Sequence, residues 1–96
     1  MIEVKQTDVY LAWFRSLRDA RARARIDNRI RRLSLGNPGD VRPVGGGVSE
    51  LRIDYGPGYR VYFAQRGATI VILLCGGDKR TQSRDIARAI AMAEEL

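Results

Sequence analysis

Midway along the chain the hydrophobic period changes. Between residues 8 and 35 the apolar residues recur every three or four positions, and between residues 48 and 65 they recur every second one, with a glycine- and proline-rich stretch, residues 36–47 (GNPGDVRPVGGG), between the two regimes. A helix brings residues three and four apart to one side, whereas a strand brings residues two apart to one face. The first part therefore folds as helices and the second as strands. Ninety-six residues leave room for one core, so the two regimes must bury their apolar sides against each other in a single domain spanning 1–96. The expected class is α+β, with helices laid on a small, mainly antiparallel sheet.

The individual elements follow from local signals. Ile2–Lys5 alternates apolar and charged residues, as a half-buried strand does. Thr7 stands where it can cap a helix over Asp8–Leu17, whose stripe Tyr10, Trp13, Phe14 and Leu17 marks the inward side and makes Trp13 a core anchor. After Arg18 and Asp19 a second helix carries Ile26, Ile30 and Leu33 inward and Arg21, Arg25, Arg29 and Arg32 largely off that side. Gly36-Asn37-Pro38-Gly39 stops it, which predicts a helical hairpin. Residues 36–47 read as a crossing loop. Val48–Asp54 then sets Leu51 and Ile53 against Glu50, Arg52 and Asp54, and beyond a turn at 56–58 Tyr59–Gln65 sets Tyr59, Val61 and Phe63 against Arg60, Tyr62 and Ala64. After a turn at Arg66-Gly67, the unbroken apolar content of Thr69–Cys75 marks a central strand buried on both faces. Gly76-Gly77-Asp78 is expected to break that strand, and Asp78 or Thr81 to cap a closing helix with Ile86, Ala89, Ile90 and Ala93 on one face. The predicted order is β-α-α-β-β-β-α, a three-strand meander with the N-terminal strand free to join its edge.

Composition narrows the chemistry. The chain has no histidine, which excludes Ser-His-Asp and Cys-His catalysis and removes the commonest zinc ligand. Its single cysteine, Cys75, cannot form an intramolecular disulfide and sits in an apolar run, as a small core residue would. That run, Ile70–Cys75, is far shorter than the roughly 18 residues of a membrane helix, and the N-terminus lacks a signal-peptide layout, so a cytoplasmic location is expected. The net charge is +6, and fifteen of the seventeen basic residues are arginine. Residues 15–32 hold eight of these against two aspartates, an excess equal to the whole net charge. Such a helix suits a polyanion, with Arg21, Arg25, Arg29 and Arg32 as its contacts.

Arg52 and Arg60 fall on the same face of neighbouring strands, where two like charges repel unless an anion sits between them. Either Glu50 or Asp54 neutralises them as structural ion pairs, or a phosphate is held between the two guanidinium forks. Lys79 and Arg80 follow the last strand and precede a helix, at its positive end. Tyr62 and Glu50 are the nearby groups able to move a proton.

The strings ELRI (50–53), GPGYRVYF (56–63) and GGDKRTQSRDI (76–86), in this order behind a helix pair, resemble the addiction-module killer proteins, a HigB-like, phage-derived branch of the RelE/ParE toxin superfamily. The likeness covers nearly the whole chain. It implies a RelE-like fold and the toxin of a type II toxin–antitoxin module, silenced by a cognate antitoxin of helix-turn-helix type. It also implies a metal- and cofactor-independent endoribonuclease acting on ribosome-bound messenger RNA; ParE-type relatives share the fold and instead inhibit DNA gyrase. By the same resemblance Arg52 and Arg60 line the nuclease groove, with Lys79 and Arg80 at its end. This sequence departs from better-equipped relatives in having no histidine and no tyrosine after the last strand. Arg60 is expected to be a solvated side chain whose loss abolishes activity and spares the fold.

Overall fold

Both N-terminal helices begin where a short polar side chain takes over orphan backbone donors. The Thr7 hydroxyl accepts from the Tyr10 N–H (3.0 Å), and the Asp19 carboxylate accepts from the N–H groups of Arg21 (2.9 Å) and Ala22 (3.2 Å). The computed structural model describes residues 2–96. In chain order they form β1 (Glu3–Gln6), α1 (Asp8–Ser16), α2 (Ala20–Ser34), β2 (Val41–Gly45), β3 (Val48–Ile53), β4 (Tyr59–Arg66), β5 (Ile70–Gly77), a 3₁₀ turn (Lys79–Thr81) and α3 (Gln82–Glu94). Among these residues no helix is long and apolar enough to cross a membrane.

The strands make one sheet in the order β1-β5-β4-β3-β2, parallel between β1 and β5 and antiparallel elsewhere. β5 lies inside the sheet, which accounts for its continuous apolar sequence. Helices α1 and α2 cover one face, packing Tyr10, Ile26, Ile30 and Leu33 on Leu51, Ile53, Val61, Phe63, Val71 and Leu73. Helix α3 covers the other, packing Ala89 and Ala93 on Val48, Tyr62, Ala64, Leu74 and Cys75. The α+β class holds, with the helical pair and the closing helix on opposite faces. The face bearing Glu50, Arg60 and Tyr62 is therefore a second interior rather than an open polar surface.

Two further expectations need correction. The stretch 36–47 is a loop only at its start, so the element order gains a strand and becomes β-α-α-β-β-β-β-α. Gly36 (φ +84°) closes α2, with its N–H bonded to the Leu33 carbonyl and that of Asn37 to the Arg32 carbonyl, a Schellman stop. Val41–Gly45 then adds an edge strand to β3, turned by Gly46 and Gly47 with φ +60° and +76°, the positive-φ pair that a two-residue hairpin requires. The second correction concerns Gly76 and Gly77, which belong to β5 instead of breaking it. A Cβ on Gly76 would collide with the Trp13 ring from one face, and a Cβ on Gly77 with Asp85 and Thr81 from the other. Trp13 is half-buried and packs at the margin of the core beside Tyr10 and Tyr59.

Candidate active site

Strand alternation brings the two arginines together. In the β3–β4 register Arg52 stands opposite Arg60 and Glu50 opposite Tyr62, all four on the α3 side of the sheet. Burial along this row is deep, with Tyr62 0%, Glu50 2% and Arg60 4% exposed. Glu50 sits at the centre of a closed network. Its Oε2 accepts from the Tyr62 hydroxyl (3.0 Å) and from Gln82 Nε2 of α3 (2.8 Å), while Oε1 lies 3.6 Å from Arg52 Nε. Burial, then the Glu50 charge and the hydrogen bond to it, drive the Tyr62 hydroxyl far above its ordinary range. Tyr62 is consequently a fixed donor to Glu50 at neutral pH. It is no ready proton acceptor.

Arg52, Arg60 and Lys79 converge on a cleft of about 200 Å³ at the end of the sheet, which Asp40, Ile53, Asp54 and Gly58 also line. The Nε donors of Arg60 and Arg52 are both buried, and among the described residues neither has a hydrogen-bond partner. Buried donors are nearly always paired, and an orphan costs roughly 1–3 kcal/mol, more when it is charged. The neutralising carboxylate expected from the sequence thus exists for Arg52 and is missing for Arg60. Arg60 is also buried, contrary to the expectation of a solvated side chain: it stands on an inner strand opposite Gly77 of β5, beside the turn that carries Lys79. The Lys79 methylenes lie over Gly58, where a Cβ would approach to 2.9 Å, so a glycine with φ +79° is required on two counts.

The other sequence candidates separate. Arg80 turns away from the cleft, its side chain 83% exposed and 3.4 Å from the Asp78 carboxylate. Asp78 caps the 3₁₀ turn that carries Lys79 by accepting from the Arg80 N–H (2.8 Å). Burial raises its carboxyl, but the hydrogen bonds from Arg80 and the Arg80 charge outweigh that and hold it below the usual carboxylate range. Asp54 was expected beside Arg52 and Arg60 as an ion-pair partner; it does line the cleft, but among the described residues it pairs with neither. Asp40 carried no signal, since its approach depends on β2. Cys75 is buried, and burial followed by the Asp85 charge pushes its thiol up to about 11, so it is inert core as expected.

The arginines of α2 divide as well. Arg29 is a strut: Nη1 donates to the Arg52 carbonyl (2.6 Å), and Nη2 to the carbonyls of Pro38 (3.0 Å) and Asp40 (3.3 Å). Arg21, Arg25 and Arg32 remain exposed. Arg25 stacks over the Tyr55 ring at 4.6 Å, and the Tyr55 hydroxyl donates to Asp19 (3.0 Å). Arg25, Asn28, Arg29 and Arg32 border a groove that shares Ile53 and Asp54 with the cleft. The two basic surfaces thus meet along the end of β3.

Residues 12–96 match the family model described as phage-derived protein Gp49-like (DUF891). An uncharacterized protein of Haemophilus influenzae is 50% identical over 95 residues, an alignment that spans 99% of this chain and 96% of that protein.

Proposed function

Because the chain belongs to the phage-derived Gp49-like family, a RelE-like toxin family, we propose that it is the toxin of a type II toxin–antitoxin module. In this reading it cuts ribosome-bound messenger RNA when its cognate helix-turn-helix antitoxin is absent. The observation that carries the reading is Arg60, a buried guanidinium with an orphan donor at a cleft it shares with Arg52 and Lys79. A phosphodiester supplies what this site lacks. When the 2′-oxygen of RNA attacks the adjacent phosphorus, negative charge builds on the phosphoryl oxygens, and donors already fixed in place stabilise it without reorganising. The Glu50 network holds Arg52, the inner strand β4 carries Arg60 into a buried position, and the capped turn presents Lys79. Phosphate recognition by such groups asks for no metal and no cofactor.

Induced expression in a bacterial host, with and without a co-expressed antitoxin, tests this. Arrest of protein synthesis, with transcripts cut within their translated regions, is the expected result. The histidine-free cleft, with Tyr62 and Glu50 locked in the interior, lends some weight to a second reading, a non-enzymatic gyrase inhibitor of the ParE type. DNA damage with intact transcripts would select that reading, and harmless expression would remove both.

A further inference from the structure

Cleavage by a 2′-hydroxyl needs an acceptor for its proton, and most candidates near the cleft are already committed. Glu50 is 2% exposed, with one oxygen bonded to Tyr62 and Gln82 and the other beside Arg52. Tyr62 is buried and donates to Glu50. Asp85 is buried against Gly77 and accepts from the Thr81 hydroxyl at 2.5 Å. Two carboxylates line the cleft itself, Asp40 and Asp54, and both are exposed. Asp40 borders the cleft but not the α2 groove; its backbone carbonyl accepts from the Arg52 N–H (3.0 Å) and from Arg29, while its carboxylate, like that of Asp54, makes no ion pair among the described residues. Asp54 stands two residues beyond Arg52, just past the end of β3, and alone borders both the cleft and the α2 groove as an acid. Among the described residues it makes no ion pair within 4.0 Å, although three cations, Arg52, Arg60 and Lys79, line the same cleft.

Resting on the ribonuclease reading above, we propose that Asp54 is the general base of the cleft. Its carboxylate takes the proton of the 2′-hydroxyl as the 2′-oxygen bonds to phosphorus. The bond from phosphorus to the 5′-oxygen breaks, and that oxygen takes a proton from water; the resulting hydroxide recovers the proton held by Asp54. The products are a 2′,3′-cyclic phosphate and a 5′-hydroxyl, with no net change of protons. The groups facing Asp54 are Asp40 from the approach to β2, Arg52 from β3, Arg60 from β4 and Lys79 from the 3₁₀ turn, with Arg25, Arg29 and Arg32 across the α2 groove. All but Asp40 are arginine or lysine, residue types that ordinarily titrate well above neutral pH. The acid side of the rate profile therefore reports a carboxylate.

The test is single-turnover cleavage of messenger on programmed ribosomes, with the full chain and saturating toxin, over about pH 3 to 8, a range that takes in ordinary carboxylate titration. Wild-type protein should lose rate toward low pH as one carboxylate is protonated. Asp54→Asn should be slower by about 10²- to 10⁴-fold and should lose that limb, its rate instead climbing with hydroxide. Asp54→Glu should restore part of the rate and the limb, and Asp40→Asn, the competing assignment within the cleft, should still show the limb. An Asp54→Asn protein that cuts at near wild-type rate with the limb intact overturns the proposal and leaves the ribonuclease reading standing. Removal of the limb by Asp40→Asn instead also overturns it. Wild-type protein that leaves messenger whole on the ribosome overturns the ribonuclease reading and this assignment together.

Discussion

Arg60 carries a permanent charge into a position only 4% exposed, and its Nε has no partner among the described residues. Such a residue is retained against a cost, since uncompensated buried charge destabilises a fold while an apolar side chain of similar shape often does not. Arg60→Met keeps much of the buried stem and removes both the charge and the orphan donor. Its stability should stay within about 1 kcal/mol of wild type, a midpoint shift of no more than roughly 4–8 °C. Arg60→Ala should fall further, because it also empties buried space that the arginine stem fills. Both should lower messenger cleavage by about 10²–10³-fold, the usual loss for one preorganised donor. Thermal melts alongside cleavage rates check this, and an Arg60→Met protein that cuts as fast as wild type would remove Arg60 from the site. The pairing of Arg52 with Arg60 was legible from two-residue alternation alone. The burial of Arg60 was not, because alternation tells which residues share a face and leaves open what covers that face.

Among the elements, β2 was the one the sequence concealed. Val41–Gly45 is exposed at Arg42, Pro43 and Gly45, so it carries no two-residue apolar rhythm, and Pro43 with three nearby glycines argues locally for a loop. What makes it a strand is tertiary: pairing with β3 on one side, and on the other end the Arg29 strut, which fastens the carbonyls of Pro38, Asp40 and Arg52 to α2. The helices and inner strands, by contrast, announce themselves through caps and periods that need no knowledge of their neighbours. Arg29 was grouped with the polyanion-binding arginines because helical spacing puts it beside Arg25 and Arg32. Spacing does not reveal that its donors are already in use. Arg29→Gln should therefore cost about 2 kcal/mol, the scale for charged hydrogen bonds, and should speed hydrogen exchange in β2 and the start of β3. Arg25→Gln should leave both unchanged. Equal stability and exchange in the two variants would refute the strut.

At the scale of the whole molecule, charge and chemistry sit on adjoining surfaces with distinct tasks. The net charge of +6 equals the excess within residues 15–32, so the exposed arginines of α2 dominate the long-range field. The cleft contributes short-range recognition, and Ile53 and Asp54 form the shared border. A polyanion drawn to α2 therefore arrives beside the cleft rather than at a remote patch. Each phosphate neutralised by an arginine releases condensed counterions, so the logarithm of the association constant falls linearly with the logarithm of salt, by about 0.7 to 0.9 per contact. Arg25→Gln combined with Arg32→Gln should weaken association with ribosomes and reduce that slope by roughly 1 to 2. With toxin in excess the same protein should cut bound messenger at close to the wild-type rate, because the cleft is untouched. Arg60→Met should show the reverse, with the slope nearly retained and cleavage lost. Binding titrations across a salt series, paired with single-turnover rates, separate the two. If the α2 double variant keeps the full slope, α2 is a solvated basic face and the field of the molecule does not guide its target. If it instead loses cleavage at saturation as severely as Arg60→Met does, the reacting phosphate lies over α2 and the cleft is not the active surface.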